Sequence, residues 1–493
     1  MLSWLIGKTS KKKLPANFRD FLDPDAVSIV QKLQQAGHES YLVGGCVRDI
    51  LLGKSPKDFD IATAATPQQV KSLIQRAFII GKRFRIVLAK RRPLRLRSDQ
   101  TLKKDETKTL FPVFYDQLPD REIQITTFRR DPVIVNGLTN ENVFGSAKDD
   151  AHRRDFTLNA LFLDPVKGSI VDFVGGLSDL SKSKIEVIGD PAVRFKEDPI
   201  RILRALRFQA RTGLDFSTRT GKILKQSYGF LKESKKERIR EEVLKILREG
   251  HPEKVFSKLH KEQILGSISP HLEQSLDRTQ IKDKFFKILE VLAKSPWPSP
   301  NQSPLFYLFC YASLDGATTT SRNPRHSFSL EHPLLQELKV SRAEWEEMVQ
   351  IRIQISKILR DPTAQHAGRF FYQGPKHYRI FASSFYCLYI LAKTFGGEFL
   401  KSWNAWKKPW EEFLTLVQRS RPHPSQSGGD RSGGGRGRSG GRRRRGRRGG
   451  GSGSGFGPAR SEGAASGSPS ASATSSLAPS IGSGDPSSSS SDS

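Results

Sequence analysis

The sequence predicts an α/β head, an all-α middle and a basic, disordered tail. Three observations predict this order. Short β-like apolar runs alternate with helix-like ones only in the first third of the chain. Strand signals fade from about Asp198 onward, where helical patterns follow one another. From Arg421 to Ser493 the chain is Gly, Ser, Arg and Pro with almost nothing apolar, a composition that cannot build a core. At 493 residues the chain exceeds what one domain usually holds.

The strand signals come in order as "SYLVGG", "FDIAT", "FIIGKRFRIVLA", "EIQITTF", "LNALFLD" and "SIVDFV". "DAVSIVQKLQQAG" and "TPQQVKSLIQRA" have helical periodicity, the second opened by Thr66 as cap and Pro67 in the first turn. Later, "EDPIRILRALRFQARTG", "KKERIREEVLKILREG" and "HPEKVFSKLHKEQILG" predict successive helices, with more up to "EEFLTLVQRS".

Charge narrows the function classes. Lys and Arg number 81 against 51 Asp and Glu, a net charge of +30. The tail has eleven Arg and four acidic residues, so subtracting its +7 leaves +23 on the remainder. Such an excess predicts a polyanionic partner. No apolar run approaches bilayer length, and no membrane partner is expected. "MLSWLIGK" is apolar but short, with its lysines after it, and is read as a packed or frayed terminus. Cys46, Cys310 and Cys387 lack metal-ligand spacing; they suit a reducing, cytoplasmic location and small buried apolar roles.

The chemistry is concentrated in "YLVGGCVRDILLGKSPKDFDIATAATP", Tyr41 to Pro67. Residues two apart on a strand share a face, so Asp58 and Asp60 point together while Phe59 and Ile61 point into the core. Adjacent carboxylates repel. Mg²⁺ relieves that, since it favours carboxylate oxygens together with substrate phosphates. Two such ions about 4 Å apart stabilise both the attacking and leaving oxygens of a phosphoryl displacement. Gly44 and Gly45 make a turn whose bare backbone can approach phosphate, and Arg48 follows one helical turn later for a triphosphate. A bare Asp-x-Asp is more often an Asx turn; the glycine turn, the Arg-Asp pair and the strand context together favour the metal reading. Further on, Arg201, Arg204 and Arg207 recur every three residues, with Ile202, Leu203, Leu206 and Ala210 on the packing side. Asp198 precedes Arg201 by three, so both heads can reach one point. Such an acceptor beside a donor complements adenine N6 and N1, and equally cytosine N4 and N3.

These motifs, with "VFGSAKDDAHRRDFTLNALFLDP", "IVDFVGGLSDL" and "VIGDPAVRFKEDPIRILRALRFQARTGL", make roughly Glu39 to Gly250 resemble the class II tRNA nucleotidyltransferase and bacterial poly(A) polymerase family. The resemblance implies a polymerase β-like head with a mixed sheet over residues 1–185. It implies a helical neck that reads the base over 186–250, and a helical RNA-binding body over 251–420; the tail is 421–493. It implies that Asp58 and Asp60 hold two Mg²⁺ ions, with Asp155 as a further catalytic position. Locally, Asp155 reads as an anchor for the arginines, an added carboxylate or an ion-pair partner of Arg154. Gly44, Gly45, Arg48, Arg154, Asp198, Arg201, Arg204 and Arg207 are the implied nucleotide contacts, with ATP as substrate. One position departs from the family: Gln124 stands where a third carboxylate is expected, and Glu122, two residues earlier, replaces it only if the strand slips.

Three functions compete. Template-free addition of AMP to RNA 3′ ends is favoured by "IIGKRFRIV" (Ile79 to Val87) and "NVFGSAKDD", which resemble the polyadenylating group. The Arg-Gly run "RRRRGRR" (Arg442 to Arg448) also suits an enzyme acting on many RNAs, in RNA processing and decay. The second function is CCA addition to tRNA. The third is RNA binding on an inactive polymerase fold, for which Gln124 is the support.

Overall fold

The computed structural model describes residues 14, 17–81, 85–90, 122–130, 133–135, 138–140, 143–249, 251–295, 302–313, 329–367 and 375–419. The "MLSWLIGK" segment and the tail expected from Arg421 lie outside these residues. By backbone contacts the described residues fall in one unit, residues 1–423.

The head is a seven-stranded mixed sheet. Its strands are β1 (Ser40–Val43), β2 (Asp60–Thr63), β3 (Ala77–Ile80), β4 (Ile86–Lys90), β5 (Glu122–Thr127), β8 (Leu161–Asp164) and β9 (Ser169–Asp172), in the spatial order β3-β4-β5-β2-β1-β8-β9. Two short pieces, β6 (Val133–Val135) and β7 (Leu138–Asn140), pair separately. Within the seven-stranded sheet β2 and β5 run parallel, and the other adjacent pairs run antiparallel. Each expected strand run is present, but "FIIGKRFRIVLA" is split between β3 and β4, which pair antiparallel. A bend at Gly81, with φ of 87°, allows the reversal.

The local signals explain the flanking helices. Asp23 caps the helix Pro24–Gln35 by accepting from the Ala26 N–H at 2.9 Å, and Ala26, Ile29, Val30 and Leu33 form its buried stripe. Thr66 and Gln69 form a capping box on the helix Pro67–Leu73. That helix ends sooner than "TPQQVKSLIQRA" suggested, because Arg76, with φ of 61°, turns the chain into β3. One sheet face packs Leu42, Ile61, Val87, Ala89, Ile123 and Ile125 under these helices. The other buries Val43, Ala62 and Phe162 beneath Ala147 and Ala151.

From residue 191 the described chain is mostly helical. The stretch expected as one helix from Glu197 is broken: Pro191–Glu197 ends at Asp198, and Ile200–Thr212 begins after Pro199. An apolar core runs from Phe156 and Leu158 through Leu203 and Leu206 to Trp406 and Trp410. Inside it, Arg207 is 4% exposed and donates from Nε to Glu242 at 2.5 Å on the helix Lys236–Glu249. No described helix is long and apolar enough to cross a membrane.

Removing one member of a buried ion pair strands the other charge. Glu242→Ala should therefore destabilise the protein by about 3 kcal/mol in denaturant unfolding. A loss below about 1 kcal/mol would show that Arg207 finds compensation elsewhere.

Candidate active site

A cleft of ≈ 560 Å³ opens where the sheet meets the helix Ile200–Thr212. Gly44, Gly45, Asp58 and Asp60 from the head and Asp198, Arg201, Arg204 and Arg207 from the helix and its entrance all line it. All the residues expected from sequence to act are thus on one cavity. Asp60 begins β2, and Asp58 lies just before the strand, exposed. Phe59 and Ile61 are buried as expected. Gly44 has φ of 76°, in the left-handed region that favours glycine. A Cβ there would sit 3.4 Å from Arg154 Nη1 and 4.0 Å from Asp60 Oδ2. The turn therefore lets an arginine and a carboxylate converge on bare backbone.

Most carboxylates around the cleft are neutralised by arginine. Asp49 accepts from Arg48 at 2.7 Å and from Arg211 at 2.7 Å. Asp150 accepts from Arg154 Nη2 at 2.8 Å. Asp155 accepts from Arg204 Nη2 at 2.6 Å, from Asn159 Nδ2 at 3.2 Å and from the Phe156 N–H at 2.8 Å. Although burial opposes it, this set of donors holds the Asp155 carboxyl below its usual range. The pairing corrects one expectation: Arg154 is bound to Asp150, four residues back on the helix Ala147–His152 and its exit, while Asp155 anchors Arg204. Arg48 lines the cleft but is 1% exposed, with Nη1 on Asn159 Oδ1 at 2.7 Å. Arg207 also lines it, with Glu242 as its partner and its guanidinium 4.5 Å from the Phe208 ring centroid. The arginine stripe is not a solvated face; it is drawn inward by acids from separate elements.

Asp58 and Asp60 have no ion pair among the described residues. Burial, and then the neighbouring Asp58 charge, raise the Asp60 carboxyl to about 6, against the pull of Arg154. Gln124 is the direct register partner of Asp60 on β5, and no strand slip brings Glu122 there. No trio of Asp, Glu, His or Cys forms a ligand cluster among the described residues. Two unneutralised carboxylates beside a phosphate-sized turn nevertheless fit Mg²⁺, which completes its shell with water and substrate oxygens.

Also lining the cleft, Asp198 accepts from Arg238 at both oxygens, at 2.8 and 3.0 Å. Arg201 Nη1 donates to the Arg194 carbonyl at 2.8 Å. Asp198 and Arg201 share one turn, the Arg201 N–H reaching the Asp198 carbonyl at 3.0 Å. Arg211, Arg238, Glu242, Asp150 and Asn159 were not singled out from sequence. Their partners lie 3 to 162 residues away: Asp150–Arg153, Asp150–Arg154, Glu242–Lys245 and Asn159–Asp155 are at local spacings, whereas Arg211–Asp49, Arg238–Asp198 and Glu242–Arg207 are set by tertiary packing.

Residues 40–186 match the model for the poly A polymerase head domain, and residues 213–276 match the probable RNA and SrmB-binding site of polymerase A. Poly(A) polymerase I of Salmonella typhimurium is 36% identical over 253 residues, 51% of each chain. The CCA-adding enzyme of Bacillus pumilus is 30% identical over 262 residues, 53% of this chain and 57% of that one. The chain thus spans about half the length of the curated relatives it matches. Among solved structures, Bacillus stearothermophilus CCA-adding enzyme in complex with CTP aligns at 22% identity and a TM-score of 0.44, covering 81% of this chain and 83% of that one.

Because the fold raises the Asp60 carboxyl from 3.8 to about 6, its ionisation costs stability as pH rises through that window. Asp60→Asn should raise metal-free stability at pH 7 by about 1–3 kcal/mol and make little difference below pH about 4. Mg²⁺ should raise the melting temperature of the unaltered protein and not that of the variant. Equal Mg²⁺ responses in thermal unfolding would remove Asp60 from the metal site.

Proposed function

We propose that this chain, which belongs to the poly(A) polymerase/CCA-adding family of nucleotidyltransferases, adds AMP from ATP to RNA 3′ ends without a template. The observation that carries the reading is that one cleft is lined both by Asp58 and Asp60, which have no ion pair among the described residues, and by the Asp198–Arg201 turn. The RNA 3′-oxygen forms a bond to the α-phosphorus, the bond to the β-phosphate bridging oxygen breaks, and pyrophosphate leaves with the 3′-OH proton released. Bound by Asp58 and Asp60, two Mg²⁺ ions would lower the barrier by neutralising charge on the reacting oxygens. Backbone at Gly44 and Gly45 admits the triphosphate, and Arg154, held by Asp150, supplies positive charge beside it. Asp198 accepts from adenine N6 while Arg201 donates to N1; uracil and guanine present the opposite polarity. Arg238 donates once to each Asp198 oxygen, which leaves each a second lone pair for the adenine amine. No histidine is assigned as base. The products would enter RNA processing and decay.

CCA addition is the second reading. It is favoured by the CCA-adding relative and by cytosine sharing adenine's polarity at this edge. An inactive, RNA-binding role rests on Gln124 beside Asp60.

Purified protein should be given a tRNA lacking CCA and a generic RNA, with each nucleoside triphosphate supplied separately. AMP runs on both RNAs support polyadenylation. CMP incorporation from CTP on the tRNA alone, extended by AMP only when ATP is then added, would establish the second reading, and no incorporation the third. Asp198→Ala should narrow the preference for ATP over UTP and GTP by about tenfold or more. Unchanged incorporation ratios would make the Asp198 turn merely structural.

A further inference from the structure

The sheet register continues the candidate site outward. Asp60 faces Gln124 on β5, Gln124 faces Leu88 on β4, and Leu88 faces Phe78 on β3. Register partners on adjacent strands share a face, so Phe78 stands on the Asp60 side, three strand spacings or about 14 Å away. The alternate residues Ala77, Val87, Ala89, Ile123 and Ile125 are buried on the reverse face. On the Asp60 side, Phe78 is 50% and Ile80 45% exposed, on an edge strand. Ile86, the register partner of Ile80, itself lines the cleft. An apolar patch of Phe78, Ile80, Ile86 and Leu88 therefore lies on this face, and Gln124 on β5 separates it from Asp60.

The patch is basic where it is open. Lys90 Nζ lies 5.3 Å from the Phe78 ring centroid, and Arg129 at the cleft donates to the Arg85 carbonyl at 3.4 Å. Glu122, register partner of Lys90, is the acid nearest the open edge in this register, and Asp60 lies further in on the same face. A second copy of the chain would meet the same positive charge on its own edge and be repelled. Single-stranded nucleic acid is instead complementary, because bases stack on exposed aromatic rings while phosphates meet lysine and arginine.

We propose that β3 and β4 carry the acceptor RNA just upstream of its 3′ end, one base stacking on Phe78 and its phosphate facing Lys90. This rests on the reading that the acceptor is an RNA strand reacting beside Asp60. In the full chain, Phe78→Ala should raise the KM for a short single-stranded RNA about tenfold, leave the KM for ATP in place, and be rescued by Phe78→Tyr. Independently of turnover, an RNA with a photoreactive uridine near its 3′ end should label the strand Ala77–Ile80 on irradiation. An unchanged RNA KM in Phe78→Ala would overturn the proposal. So would labelling confined to other segments, or a self-association that Phe78→Ala abolishes without any RNA label on β3. Protein that labels on β3 yet adds no nucleotide would keep this surface and refute the proposed activity, so the two failures are distinct.

Discussion

Everything around the cleft depends on how the helix Ile200–Thr212 is clamped. Three of its arginines are each held by a carboxylate from a different element: Arg204 by Asp155, Arg207 by Glu242 and Arg211 by Asp49. Buried charges are costly alone, and a pair offsets that cost only when its geometry is good. These contacts do little to make the fold more stable than an apolar alternative would. They fix the rotation of one helix against the sheet. With that rotation set, Asp198 and Arg201 at the helix entrance line the same cleft as Asp60.

The cleft thereby divides its acids into two kinds. Asp49, Asp150, Asp155 and Glu242 are buried and matched with arginine. Asp58 and Asp60 are left with each other, and the raised Asp60 carboxyl reflects that mismatch. Among the described residues, this pair is left without an arginine partner while lining the same cleft. Gln124 sets the limit of this arrangement: an amide adjoins Asp60 and contributes dipole but no charge. The carboxylate pair and the substrate phosphates must supply what a third acid would otherwise add.

The strands and the main helices were legible because they rest on short-range signals: alternation in "EIQITTF", the Thr66–Gln69 box and the apolar stripe of Pro24–Gln35. The convergence of Asp58, Asp60, Gly44, Asp198 and Arg201 was legible through motif spacing and resemblance. What was illegible were the partners. The four-residue spacing of Asp150 and Arg154 is a local signal, but nothing near Asp155 in sequence shows that its carboxylate goes to Arg204, forty-nine residues on. The break at Asp198–Pro199 was written in the proline, yet the surrounding helical periodicity concealed it. Arg238, one turn before Glu242, invites a local ion pair, but tertiary packing sends Glu242 to Arg207 and Arg238 to Asp198.

The bond between Arg211 and Asp49 joins positions 162 residues apart, and the parallel contact of β2 with β5 spans more than sixty. Closing loops of that length is entropically unfavourable until the contacts they bring together have formed. During synthesis, residues 40–63 emerge long before the helix that completes the cleft, so a growing chain has the carboxylate strand without that helix. Glu242 must leave the ribosome before Arg207 has its buried partner. Assembly order thus completes the cleft only after the carboxylate strand has formed, and a chain ended before Ile200 would keep Asp58 and Asp60 without the helix that lines the cleft with them.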